Sequence, residues 1–320
     1  MKSIIKLAAG VVSAAVLGTS AMAEDFPSRP IEIVVTYKAG GLTDAYARML
    51  AKYMPKHLPG NAEVVIVNKP GGAGTIGMTS VSTADADGYT LGFTTSSPIG
   101  IQPHYGKTPY TTESFVPVAK VFEVASSLNV HKDSEIETYE QLVEYLKANP
   151  GAFTYSATGG TGSGTHIVSE QFANAVGADM RFIPFEGTAQ LNAALTGKQI
   201  MGSMQMPNVH RGGDAKPLVF LTNAKPAHEL YDNVPRASEL GIDAMTDFFA
   251  GILAPAGTPQ DRVDIIAAAI AASLKEQEFI DLSNKFLVPL SFANSADFAE
   301  IVTSVSAANK VEMTKLGLID

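Results

Sequence analysis

Short apolar runs alternate along this chain with longer segments in which apolar positions recur every three or four residues. The short runs lie at 31–37, 64–68, 90–94, 153–157, 181–185, 199–204 and 218–222. They are mostly continuous, as expected for parallel strands buried on both faces. The segments between them, 44–54, 75–84, 138–148, 165–175 and 188–195, carry helical periodicity. Thr43 and Thr188 stand where N-caps belong, and Asn149-Pro150-Gly151 is a helix stop. Strand-then-helix alternation of this kind predicts an α/β architecture with right-handed crossovers.

Two longer runs, 121–130 and 248–255, break the rhythm: each is extended and lacks a glycine turn into a helix. They read as strands that carry the chain from one domain to another and back. That makes the first domain discontinuous, 24–122 plus 250–320, around a second at 123–249. Two tail helices are expected, at 261–275 and 296–316. No segment is of low complexity, and no sequence repeat is present.

The first residues change the picture of where the chain works. Lys2 and Lys6, the apolar stretch 7–17 and Ala21-Met22-Ala23 make a secretory signal peptide over 1–23. The apolar stretch falls short of the ~20 residues a membrane span needs. The mature chain is therefore expected outside the cytoplasm, in a periplasm for a diderm source, with no membrane insertion. There is no cysteine, so its core must hold it without disulfides. The whole chain carries a formal charge of −9, and removing a leader with two lysines and no acid leaves −11. That balance argues against nucleic acid or anionic lipid as a partner. If the ligand is an anion, local dipoles and hydrogen bonds must attract it against the net field.

Candidate donors of this kind recur. Ala39-Gly40-Gly41-Leu42-Thr43-Asp44, Gly71-Gly72-Ala73-Gly74-Thr75-Ile76-Gly77 and Thr158-Gly159-Gly160-Thr161-Gly162-Ser163-Gly164-Thr165 each close an apolar run and open an amphipathic one. Glu186-Gly187-Thr188-Ala189 is a weaker fourth. A strand turning through glycine into a helix leaves backbone N–H groups free at the positive helix end, where an anion can sit. The candidate binding residues are Tyr37, Lys38, Ala39, Gly40, Gly41, Thr43 and Asp44 in the first turn. Thr94, Thr95 and Ser96 follow at the end of the third strand. Ser156, Thr158, Gly159, Gly160, Thr161, Ser163, Thr165 and His166 belong to the hydroxyl-rich loop, and Gly187, Thr188 and Ala189 to the last turn. Each turn is also explained by glycine geometry alone. Arg48, one turn into its helix, fits a structural salt bridge better than a ligand contact.

Other chemistry is weaker. Gly72-x-Gly74-x-x-Gly77 matches a dinucleotide fingerprint, but Lys69-Pro70-Gly71 separates it from its strand and no acid stands roughly 20 residues on. A hydrolase would use Ser163 as nucleophile and His166 as base, yet Gly162 and Gly164 flank Ser163 directly, so the G-x-S-x-G elbow is absent. No acid is evidently placed to orient His166. The six histidines show no metal-ligand spacing. No cofactor, metal or catalytic residue is expected.

Taken together, the motifs resemble the extracytoplasmic solute receptors of tripartite tricarboxylate transporters, the Bug receptors. The resemblance rests on Phe26-Pro-x-Arg29-Pro30-Ile31, Ala39-Gly40-Gly41-x-x-Asp44-x-x-Ala47-Arg48 and Asn68-Lys69-Pro70-Gly71-Gly72-Ala73-Gly74-x-x-Gly77. It continues through Ala86-Asp87-Gly88-Tyr89-Thr90-Leu91, the 156–166 loop, Val234-Pro235-x-Ala237-x-Glu239-x-Gly241 and Leu253-Ala254-Pro255-Ala256-Gly257-Thr258-Pro259. It implies a type II periplasmic binding-protein fold, two α/β lobes on a two-strand hinge. It further implies a monomer that holds a small organic carboxylate, di- or tricarboxylate favoured, through amides, hydroxyls and bridging waters, and delivers it to membrane permease subunits. Three positions depart from the family pattern: Lys38, Glu186, and Met201, where many members have aspartate at a strand end. A ligand-sensing module for a signalling partner remains open beside transport, as does the secreted hydrolase.

Overall fold

A computed structural model describes residues 26–185, 187–207, 212–242 and 248–320. The expected signal peptide, 1–23, and Glu186 lie outside the described residues. Two mixed sheets carry helices on their faces in a two-lobe α/β fold.

The first sheet is built from β1 (Ile31–Val35), β2 (Val64–Asn68), β3 (Thr90–Thr95), β4 (Phe115–Glu123), β10 (Phe249–Pro255) and β11 (Leu290–Ala293), in the order β11-β4-β10-β3-β1-β2. The second has β5 (Ser127–His131), β6 (Thr154–Ala157), β7 (Arg181–Phe182), β8 (Gly202–Gln205) and β9 (Ala215–Phe220), in the order β7-β6-β8-β5-β9. The helices that follow strands are α1 (Leu42–Tyr53), α2 (Thr75–Ser82), α3 (Ser96–Gly100), α4 (Tyr139–Ala148), α5 (Gly164–Ala175) and α6 (Thr188–Thr196). The tail adds α7 (Gln260–Ser273), α8 (Gln277–Phe286) and α9 (Ser295–Lys315).

The parallel expectation holds for β1 with β2 and β3, and for β6 with β7 and β8. It fails where the chain changes lobe. β10 runs antiparallel to both β3 and β4, and β5 antiparallel to both β8 and β9. A strand coming from the other lobe enters its sheet in the reverse direction to the strands laid down by local βα units. The expected single run 121–130 is two strands, β4 in one sheet and β5 in the other. Three residues bridge them, and the Val124 N–H donates to the Phe248 carbonyl at 2.7 Å, tying the outgoing segment to the returning one.

Several boundaries move for local reasons. The N-caps are Gly41 and Gly187, not Thr43 and Thr188, so both threonines are already helical. Residues 199–201 leave α6 rather than begin β8: the Gln199 N–H still bonds the Ala194 carbonyl at 2.8 Å. The tail holds three helices and a strand instead of two helices. In α8, Phe279 is buried against Tyr46 and Tyr53 with ring centroids 6.2 Å apart in each pair.

Each lobe has its own core. In the first, Tyr46, Phe93 and Phe122 pack under α1 and α7, with Tyr46 and Phe122 centroids 4.5 Å apart. On the sheet's other face Phe249 meets Phe298 of α9 edge-on at 5.0 Å. In the second, Leu128, Phe153, Tyr155, Phe172 and Met204 form the core beneath α4 and α5. Among the described residues no helix is long and apolar enough to cross a membrane.

At Gly251 of β10 the Phe298 ring of α9 packs directly on the backbone of the first sheet. A Cβ there would press on the Phe298 ring and stand 2.8 Å from the Ala119 carbonyl oxygen. Gly251→Val is expected to cost ~1–3 kcal/mol by overpacking, and a heat-melting curve should show a Tm several degrees below wild type. An unchanged Tm would contradict this packing.

Candidate functional site

The first turn is organised by a buried carboxylate. Asp44, 3% exposed, accepts from the Gly40 N–H (2.8 Å), from Arg48 Nε and Nη2 (2.9 and 3.0 Å) and from Asn68 Nδ2 (2.9 Å). Asn68 Nδ2 also bonds the Tyr37 carbonyl at 3.1 Å, fastening the end of β2 to the turn. Burial alone would raise the Asp44 pKa. The Arg48 guanidinium, the Gly40 N–H and the Asn68 amide outweigh it and hold the carboxyl below its ordinary range. With these protein donors engaged, Asp44 shapes the turn, and Arg48 is its structural partner, as the sequence suggested.

The turn itself is open. Lys38, Ala39, Gly40 and Gly41 are exposed. Gly40 needs its glycine, with φ at +83°, whereas Gly41 is extended at φ −82° and ψ 175°. No side chain caps the first turn of α1, which leaves the amides of Leu42, Thr43 and Asp44 as free donors. Beneath the turn, hydroxyls pair with each other: Tyr37 Oη with Thr95 Oγ1 at 2.5 Å, and Thr36 Oγ1 with Thr94 Oγ1 at 2.9 Å. Burial pushes the Tyr37 pKa up. Ser96 Oγ is buried with no partner.

The 158–165 loop is folded on its own hydroxyls. Thr165 Oγ1 donates to the Thr158 carbonyl and lies 3.1 Å from Ser163 Oγ. Ser163 is the N-cap of α5, its Oγ accepting from the His166 backbone N–H at 3.3 Å. His166 is turned the other way. Its Nδ1 accepts the Gly162 N–H at 3.1 Å, its ring lies 4.0 Å from that of Phe182, and its Nε2 is 3.8 Å from Glu170 Oε1. With Nδ1 accepting, the proton sits on Nε2, and burial lowers the His166 pKa. An acid does stand near His166, contrary to the sequence reading, but Glu170 Oε1 also accepts from Tyr155 Oη at 2.5 Å. Neither ring nitrogen is positioned to take a proton from Ser163, so the hydrolase constellation is not assembled. Gly159 and Gly160 adopt φ of +94° and +74°. The amides of Gly159 and Thr161 have no protein acceptor, whereas those of Gly160 and Ser163 bond within the loop.

The last turn, Gly187–Ala189, is exposed, and α6 has no side-chain cap. The glycine-rich 71–77 segment is explained by packing: a Cβ on Gly77 would stand 2.9 Å from the Lys69 carbonyl oxygen and 2.9 Å from Thr36 Cγ2. Met201 does not end a strand on the side of these turns. It precedes β8, at the end of this central strand away from the loop that follows the parallel β6, with Tyr145 Oη 3.6 Å from its sulfur. Sequence reasoning missed Tyr105, whose hydroxyl donates to the Gly162 carbonyl at 3.3 Å and so joins the two lobes at the loop. A cavity of about 390 Å³ lies behind that loop, lined among others by His166, Glu170, Asp179, Arg181, Phe182 and Leu316. Of the predicted residues only His166 reaches it.

The model of the tripartite tricarboxylate transporter family receptor matches residues 46–318. A curated protein of Cupriavidus necator, described as the UPF0065 protein in the gbd 5' region, is 30% identical over 97% of this chain and 96% of its own length. Protein BugT of Bordetella pertussis is 29% identical over 84% of each chain. A crystal structure of a TctC solute binding protein from Polaromonas superposes with a TM-score of 0.79 at 28% identity, covering 91% of this chain and 99% of that one.

Because the Asp44 pKa is depressed in the folded chain, its contribution to stability is complete above its unfolded pKa and fades as pH falls through the folded one. The Tm gap between wild type and Asp44→Asn should be widest at neutral pH and close below about pH 4. A gap that stays constant from pH 7 to pH 3 would remove the carboxylate from this role.

Proposed function

The chain belongs to the tripartite tricarboxylate transporter receptor family of periplasmic solute-binding proteins, and from that premise we propose that it captures a small organic carboxylate between its two lobes and hands it to a membrane permease. The lobes are taken as 24–122 with 250–320 and 123–249, closing about the two connecting segments. The observation that carries the carboxylate reading is the set of backbone donors left open at strand-to-helix turns. α1 and α6 begin without side-chain caps, and the Gly159 and Thr161 amides have no protein acceptor.

In an acidic protein these donors act as local positive charge. Each helix end contributes ~0.3–2 kcal/mol toward a bound anion. Several ends with desolvation in a closed cleft support micromolar affinity, about −8 kcal/mol. Lys38, exposed at the mouth of the first turn, favours a ligand with more than one carboxylate. Thr43, Thr94 and Thr95 frame the turn, while Ser163 and His166 shape the second loop, a receptor's division of labour rather than an enzyme's. Binding drives closure only to the extent that the closed state holds the ligand more tightly.

A thermal-shift screen against mono-, di- and tricarboxylates, with sulfate and phosphate as controls, tests the reading. A ligand at 100 times its Kd should stabilise the fold by about 2.7 kcal/mol, and the expected result is a selective rise in Tm with one carboxylate class. Mass spectrometry of denatured protein guards against a ligand carried through purification. No shift together with an empty protein would overturn the carboxylate assignment.

Gly41→Val adds bulk at the mouth of the first turn. Its backbone is already extended, and the nearest atom to a Cβ is the Lys38 carbonyl oxygen at 3.4 Å. The variant should fold with a near-wild-type Tm and lose ligand binding. A folded variant with unchanged affinity would displace the ligand from this turn. Ser163→Ala should cost ~1 kcal/mol as a lost N-cap, while protein of either sequence shows no ester or amide turnover.

A further inference from the structure

Inside the second lobe lies a polar layer that the anion donors do not explain. Strand register sets Ser156 beside Ser203, Ser203 beside Asn129, and Gln205 beside Ser127. These five side chains therefore share one face of the sheet, and all are buried. α6 covers that face: its Ala194 and Leu195 cluster with Ala215, which pairs with His131 in the same row. The reverse face, with Leu128, Tyr155 and Met204, is the apolar core.

Much of the layer satisfies itself. Ser127 Oγ donates to Asn129 Oδ1 at 2.7 Å, and Asn129 Nδ2 reaches the Ser127 and Ser203 carbonyls at 2.8 and 3.1 Å. Gln205 Nε2 donates to Ser203 Oγ at 3.0 Å. Two atoms are left over: Ser156 Oγ and Asn192 Oδ1 are out of solvent and have no partner. Native proteins rarely bury polar atoms unpaired. Both lie toward the glycine turns. Ser156 is one residue from the end of β6, and Asn192 is about one helical turn from the start of α6, on the flank of buried Leu191 and Leu195.

We propose that Ser156 and Asn192 form a subsite for an uncharged hydroxyl on the ligand, which makes this receptor selective for hydroxycarboxylates over the same acids without the hydroxyl. This rests on the carboxylate reading above. Asn192 Oδ1 can only accept, so its guest must donate, and a serine hydroxyl exchanges hydrogen bonds with another hydroxyl in either direction. The layer is made of neutral side chains. His131 stands at its far end, and its Nδ1 takes the Asp133 backbone N–H at 3.1 Å. A second carboxylate pushed into such a layer would be left without a counter-charge, whereas a hydroxyl is not.

The test is calorimetric titration of the full mature protein with two pairs of acids, malate against succinate and citrate against tricarballylate, plus aspartate. Wild type should bind the hydroxylated member of at least one pair ~10-fold more tightly, the scale of one well-made hydrogen bond. Ser156→Ala and Asn192→Leu should each bring that pair within about threefold. Folding is read from Tm, since neither change removes an existing hydrogen bond. Wild type with no preference within the pairs, or a preference that survives both substitutions, overturns the subsite while leaving the carboxylate reading intact. A Tm shift without a change in the ratio means the two atoms hold only a resident water, which also overturns it. Tighter binding of aspartate than of malate overturns the hydroxyl assignment. Wild type that binds none of the five overturns the subsite, while the carboxylate reading is decided separately by the wider thermal-shift screen and the check for a carried ligand.

Discussion

The first glycine turn depends on one buried carboxylate. Free backbone amides at a helix start tend to be taken up by the nearest side chain, which would close the turn on itself. Here Asp44 is drawn down into bonds with Arg48 and Asn68 and takes only the Gly40 amide. The next amides of the turn take no side-chain cap. The carboxylate thus organises the turn from inside and leaves the start of α1 without a side-chain cap. The second loop achieves a similar state with neutral groups: Ser163 caps α5 and His166 holds Gly162, while the Gly159 and Thr161 amides stay open.

Much of the fold was legible because strand and helix periodicities are strong where local βα units repeat. β2 spans the predicted 64–68, and α2 and α5 begin within a residue of expectation. What failed was whatever depends on the other lobe. Nothing in the residues of β10 says that it will sit between β3 and β4, or that it will run against both. β11 is four residues long with an irregular register, too short to show a period. α8 was missed although its Phe279 lies deep in the core, since it follows α7 after only three residues and reads as a continuation of that helix.

The candidate site was legible in its glycines and less so in its side chains. Positive φ at Gly40, Gly159, Gly160 and Gly162 is what a G-rich turn predicts. The division of roles was not readable, because capping and ligand contact use the same residue types. Ser163 looks identical in sequence whether it caps a helix or attacks a bond. Tyr105 sits in a stretch of Pro, His and Gly with no periodic signal. The polar layer did leave a trace: Ser127 and Asn129, and Ser203 and Gln205, recur at a spacing of two, the mark of a strand face that is polar on purpose.

The strand order also governs when this protein can fold. The second sheet is made entirely from β5 to β9, a continuous stretch, and can form as soon as that stretch exists. The first sheet cannot. Its interior strand β10 arrives only after the whole second lobe has been synthesised, and until then β3 and β4 have nothing between them. Closing so long a loop is entropically slow. A chain emerging from the ribosome therefore spends most of its synthesis without a completed first lobe, so the lobe whose residues are made first is the one finished last.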